Sequence, residues 1–173
     1  MSGGSEGEWY ELSDGDKGIE ETVALMAQMT RASLGDRAVK QVAIMATQAV
    51  PKTDPAAYAA EIFKFAKKVF RFVPDTAAVE ELTSPTIHSK RVLETGKTYG
   101  DCDDYAMAQA AWLMAVGVPA RFTVIASPRH KGIFDHVRVE ARLPTGWTPM
   151  ETTIKRSAFG QSFPAVRAKS WDV

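Results

Sequence analysis

The chain has 173 residues, enough for one hydrophobic core and short for two domains. Hydrophobic residues make up 45% and charged residues 24%, and 21 basic residues balance 21 acidic ones, which argues against a nucleic-acid binder. A single cysteine excludes an internal disulfide, the start of the chain shows no basic-then-apolar leader, and no window nears the roughly 18 apolar residues of a membrane span, so a soluble protein of a reducing compartment, with no signal peptide, is expected.

Residues 1–18 are rich in Gly, Ser, Asp and Glu and read as a loosely held arm, with Trp9, Tyr10 and Leu12 expected to dock it onto the body. Three helices follow. Ile19, Val23, Met26 and Thr30 recur at helical spacing until Gly35. The second helix starts after Asp36 as N-cap, carries Val39, Val42, Ala43 and Ala46, and stops at Pro51. The third has Asp54 as N-cap and Pro55 at its first position, buries Tyr58, Ile62, Phe65, Ala66 and Val69, and ends at Val73 and Pro74. Residues 74–100 keep no period and are punctuated by Pro74, Pro85, Gly96 and Gly100, so they read as a connection with short elements at most. A fourth helix over residues 102–116 ends at Gly117 and Pro119. Strands are expected over residues 120–126, 134–143 and 147–154, the last two joined by a turn at Pro144, Thr145 and Gly146. Beyond Ser157 the chain reads as irregular. Helices followed by antiparallel strands make the class α+β.

The chemistry concentrates around Cys102. Gly100 allows a sharp bend, Asp101 is a natural N-cap, and Asp104 stands at the capping-box position three residues later. Cys102 then lies in the first helical turn, where free backbone N–H groups and the helix dipole favour a thiolate and can bind an oxyanion. Asp101, Asp103 and Asp104 oppose this, because three negative charges raise a thiol pKa. A helix dipole contributes about 0.3–1 kcal/mol at exposed sites, so a positive partner is required. The chain offers three histidines. His136 lies on the face of its strand opposite Val137, Val139, Ala141 and Leu143, where a neighbouring helix start can meet it; His88 and His130 lie in loop-like sequence and remain alternatives. One cysteine with scattered histidines lacks the spacing of a structural zinc site.

Four blocks stand in order: Gly100-Asp101-Cys102-Asp103-Asp104-Tyr105-Ala106, Gly117-Val118-Pro119-Ala120-Arg121, Asp135-His136-Val137-Arg138-Val139-Glu140 and Trp147-Thr148-Pro149-Met150-Glu151. Together they resemble the transglutaminase-like superfamily, with its G-x-C-x-x-x-A helix start, G-[IV]-P-A-R block, H-x-W-x-E strand and W-x-P-x-D strand. Residues 63–75, with Ser84 and Pro85, extend the likeness to short members carried by bacteriophages and prophages, over about residues 15–155. The resemblance implies a papain-like fold, with N-terminal helices and a nucleophile-bearing helix packed on an antiparallel sheet. The expected domain covers residues 19–157, with residues 158–173 as an irregular tail. The resemblance also implies a Cys-His-Asp triad, carried here by Cys102, His136 and Glu151, with no metal and no cofactor.

The expected activity is thiol-dependent acyl transfer, as a cysteine peptidase or amidase, with a protein-crosslinking transglutaminase or a non-catalytic phage assembly module as alternatives. The expected partners are a protein or peptide substrate and other virion proteins, with no nucleic acid and no membrane, in the bacterial host cytoplasm or the virion.

Two residues depart from the family pattern: Glu151 stands in place of Asp, and Arg138 in place of Trp. A regular hairpin around a three-residue turn at 144–146 would set residue 139 against Glu151. His136 would then lie roughly 10 Å away at about 3.3 Å per residue, unless a bulge or a different turn intervenes.

Overall fold

A computed structural model describes residues 12–51, 53–75 and 81–173. Five helices and six strands follow in the order α1 (Gly15–Ser33), α2 (Arg37–Thr47), α3 (Pro55–Val69), β1 (Phe70–Phe72), α4 (Pro85–Thr95), β2 (Thr98–Gly100), α5 (Cys102–Ala115), β3 (Ala120–Ala126), β4 (His136–Leu143), β5 (Gly146–Met150) and β6 (Arg167–Asp172). The four-stranded sheet has the order β5-β4-β3-β6 with every neighbour antiparallel, and β1 pairs in parallel with β2. The α+β arrangement read from the sequence is the one observed.

Helix α5 is the centre of the molecule. Every residue from Asp103 to Leu113 is buried, so that stretch has no solvent face. Ala106, Ala108, Ala110 and Ala111 make this possible, because small side chains let α1, α2, α3 and α4 approach on one side and β4 on the other. Trp112 fills the space between helices, its ring edge-on to Phe65 at 5.7 Å and its indole N–H donating to Ser89 Oγ at 3.0 Å. The sheet closes the core with Phe122, Val124, Val137, Val139, Ala141 and Met150.

Local caps explain the boundaries. The Asp36 and Asp54 carboxylates accept from the backbone N–H groups of Ala38 and Ala57, as their N-cap reading requires. Helix α3 stops at Val69, four residues before the expected end at Val73, because residues 70–72 extend to pair with 98–100.

Three sequence expectations need correction. Helix α1 begins at Gly15, so its first turn belongs to the stretch read as an arm; Trp9 and Tyr10 lie outside the described residues. The stretch 74–100 contains a full helix, α4, with Ser84 as N-cap, Pro85 at its first position and Gly96 in the left-handed conformation at its end (φ 74°). Its buried face holds His88 and Ser89 beside Val92, and that polar content hides the apolar period. The tail read as irregular supplies β6, an edge strand paired with β3. Its residues are largely exposed on both faces, which erases the alternation that marks a half-buried strand.

Candidate active site

Asp101 caps α5 by accepting the Asp103 backbone N–H at 3.2 Å, which puts Cys102 at the first helical position. The second half of the expected capping box does not form. Asp104 turns away from the helix end, accepts the Thr83 backbone N–H at 2.9 Å and faces His88, whose Nε2 lies 3.2 Å from Asp104 Oδ1 at an angle that makes no hydrogen bond. Gly100 is required by close approach here, since an added Cβ would lie 2.2 Å from Asp104 Oδ2.

Each histidine has a distinct place. His88 is fully buried on α4, with Nδ1 2.8 Å from Thr98 Oγ1. His130 lies at the surface on a single 3-10 turn, 3.0 Å from Asp135. His136 opens β4 and borders the same cleft as Cys102. The Val137 backbone N–H, one residue after His136, donates toward the Cys102 sulfur. This contact ties the start of α5 to the start of β4.

The other end of the imidazole meets Glu151. His136 Nε2 lies 2.6 Å from Glu151 Oε2, and Nδ1 has no hydrogen-bond partner among the described residues. The hairpin register explains how they meet. Leu143 pairs with Gly146 across a two-residue turn, and the ladder runs to Val139 opposite Met150. Position 151 therefore falls beside residue 138, on the face that His136 occupies, and not beside 139 on the opposite face. A one-residue change of register exchanges the two faces of a strand.

The Glu151 carboxylate is buried, and both of its oxygens have partners. Its second oxygen accepts the Thr153 hydroxyl at 2.6 Å and the Thr153 backbone N–H at 3.3 Å. Burial alone would push its pKa up, but His136 and these Thr153 contacts hold it below the usual carboxylate range. Thr153 left no signal in the sequence reading; two hydroxyl residues after an acidic one are too common to mark a site.

The cleft measures about 440 Å³. Ile19, Val23 and Met26 of α1 form one wall, and Val124 and Val137 of the sheet, with Phe134 from the loop before β4, form another. Asp101, Cys102 and Asp103 bring a thiol and two carboxylates within 4.8 Å of one another, a mixed soft and hard set from one helical turn without an imidazole.

Residues 43–152, more than half of the chain, match the profile of the Transglutaminase-like superfamily. The chain belongs to this superfamily. All four motif blocks lie inside the matched span. Two solved structures share the papain-like, transglutaminase-like fold. A putative protease from Parabacteroides distasonis superposes with a TM-score of 0.56 at 15% identity, over 75% of this chain and 26% of that one. A putative cysteine protease from Cytophaga hutchinsonii superposes with a TM-score of 0.51 at 14% identity, over 92% of this chain and 52% of that one. The chain thus spans about a quarter and about half of these two proteins (26% and 52%). No curated protein matches the sequence. Among the described residues, no helix is long and apolar enough to cross a membrane.

Within this transglutaminase-like fold, the tension expected at Cys102 resolves upward. Burial first, then the Asp103 charge, pushes the Cys102 thiol above the ordinary cysteine range, and the Val137 N–H only partly offsets them. The sulfur lies 3.5 Å from Asp103 Oδ1, in the position of a thiol donating its proton. Arg138, where the family has Trp, forks onto Glu140 Oε1, with Nη2 at 2.8 Å and Nε at 3.2 Å, and Arg121 holds the other Glu140 oxygen at 2.7 Å. The substituted position is thus occupied by a buried ion network on β3 and β4.

Proposed function

We propose that this chain is a thiol-dependent acyl-transfer enzyme, a cysteine peptidase or amidase, with Cys102 as nucleophile, His136 as proton carrier and Glu151 as the group that orients the imidazole. The observation that carries this reading is the 2.6 Å contact between His136 Nε2 and Glu151, which fixes the ring and leaves Nδ1 for the cleft that Cys102 also borders.

The chemistry follows from these placements. The resting sulfur holds its proton, so attack on an amide carbonyl begins with transfer of that proton to His136 Nδ1. The thiolate adds to the carbonyl carbon, and the oxyanion takes the Cys102 backbone N–H, one of the first-turn donors that lack an intrahelical partner. His136 then gives the proton to the leaving amine. Water, activated by the same imidazole, releases the acyl group from sulfur. The anionic Glu151 stabilises the imidazolium in both halves. The fold shared with the two named proteases supports a protein or peptide substrate. The likeness to short phage-borne members supports a setting in the infected bacterium or the virion.

A second reading, a binding or assembly module that keeps the fold, is favoured by one observation, the Asp103 carboxylate 3.5 Å from the Cys102 sulfur, whose charge opposes a thiolate. The test is Cys102→Ala against wild type on fluorescently labelled casein. Loss of turnover and of labelling by iodoacetamide supports the enzyme. Casein turnover that survives Cys102→Ala, or wild-type labelling no faster than that of a free peptide thiol, would sink it.

A further inference from the structure

The residue that orients His136 stands on a segment with no regular structure. After the last ladder pair at Met150, residues 151–157 form neither helix nor strand. Helix α3 holds this segment. Lys67 sends its Nζ to the Ser157 carbonyl at 2.7 Å, the Ser157 hydroxyl at 3.0 Å and the Ile154 carbonyl at 3.2 Å. An ammonium has three donors, and here all three meet an acceptor. The Ser157 hydroxyl is in turn within hydrogen-bonding reach of the Glu151 carbonyl oxygen. Next along the chain, Phe159 packs edge-on against Phe63 of α3 at 5.8 Å, and Lys67 Nζ lies 5.2 Å from the same Phe63 ring. Burial lowers the Lys67 pKa while the Glu151 carboxylate opposes that shift, which places the two charges within electrostatic range.

We propose that Lys67, acting with Ser157, is a positioning residue that sets the backbone beneath Glu151 so that its carboxylate reaches His136 Nε2. The proposal rests on the reading of Cys102, His136 and Glu151 as a triad. A carboxylate on an unpaired segment is free to drift, and a misplacement of about 1 Å costs on the order of 100-fold in rate. Lys67 stops that drift by joining the segment to helix α3, whose inner face lies in the core. Among the described residues, the acidic groups that share the cleft with His136 are Asp135 beside it on the chain, Asp101 and Asp103 at the start of α5, and Asp14 ahead of α1, while Glu151 bonds its ring. Lys67 acts on the imidazole through Glu151.

The experiment uses the full chain with Lys67→Met, Lys67→Arg and Ser157→Ala. Two readouts are taken: casein turnover, and the ¹⁵N shifts of the His136 ring, which report which nitrogen holds the proton. Wild type is expected to hold its proton on Nε2, facing Glu151. Lys67→Met is expected to lose that preference and to lower kcat about 10- to 100-fold with KM unchanged. Lys67→Arg, which keeps charge and donors, recovers part of both. Wild-type ring shifts and wild-type turnover in Lys67→Met would overturn the proposal. If Lys67→Met does not fold, Ser157→Ala decides, since it removes the hydroxyl that joins Lys67 to the Glu151 carbonyl and leaves the lysine in place. The ring shifts require no substrate, so a protein without turnover defeats the triad reading while the positioning role is still decided.

Discussion

Leu143 faces Gly146 across the β4–β5 turn, and this pairing brings Glu151 to the His136 side of the sheet. With Leu143 facing Trp147, the carboxylate would fall opposite Val139, on the face packed against α5. The longer glutamate then spans the remaining diagonal, ending 2.6 Å from His136 Nε2.

Glu151→Asp is therefore expected to weaken the site although it restores the residue common in the family. The shorter side chain falls short of Nε2, and turnover should drop about 10- to 100-fold. Glu151→Gln keeps the length but loses the charge and favours the wrong ring tautomer, for a loss of about 10²- to 10⁴-fold. Steady-state kinetics on one substrate compares the two, and Asp equal to wild type would refute the geometric argument.

Asp103→Asn should make Cys102 more reactive. The Asp103 charge raises the thiol, so its removal increases the thiolate fraction at neutral pH, tenfold for each pKa unit. Nucleophilicity falls as the pKa falls, so the observed gain is smaller, about three- to fivefold per unit. Iodoacetamide labelling followed from pH 6 to 10 should show the variant's rate rising at lower pH than that of wild type.

Acid should weaken the fold through Glu140 as well as Glu151. Burial would raise the Glu140 pKa, but hydrogen bonds from Arg138 and Arg121 hold it below the carboxylate range. The folded value lies under the unfolded one of about 4.3, so the native state binds fewer protons and stability rises with pH through that window. This contribution is fully present above about pH 4.3 and is lost as pH falls through the folded value. Glu140→Gln should cost about 1–3 kcal/mol at pH 7 in urea denaturation. The gap to wild type should narrow at pH 3, and a constant gap would contradict the assignment.

Gly100→Ala tests the packing beneath Cys102. The new methyl would meet the Asp104 side chain, which the Thr83 N–H holds in place. Overpacking of this kind costs about 1–3 kcal/mol. Because Asp104 belongs to the first turn of α5, thermal melting and Cys102 labelling should change together.

Much of the architecture was legible in order along the chain. Asp36, Asp54 and Pro55 announce their helices through local hydrogen bonds and a preset φ, and such signals do not depend on distant residues. Cys102 at the start of α5 followed from Gly100 and Asp101 in the same way. The blocks around Cys102, Gly117, His136 and Trp147 identified the superfamily, because their order survives in sequence even where their contacts are remote.

Tertiary structure decided the rest. Helix α4 carries Ser89 and His88 toward the core, where Trp112 and Thr98, both outside that helix, supply hydrogen-bond partners for them. Strand β6 gains its partners from β3 and has almost no buried side chain to announce it. The meeting of His136 with Glu151 and the contacts of Lys67 with the segment after Glu151 depend on hairpin register and helix placement. Those follow from the packing of the whole core, and no local pattern of residues encodes them.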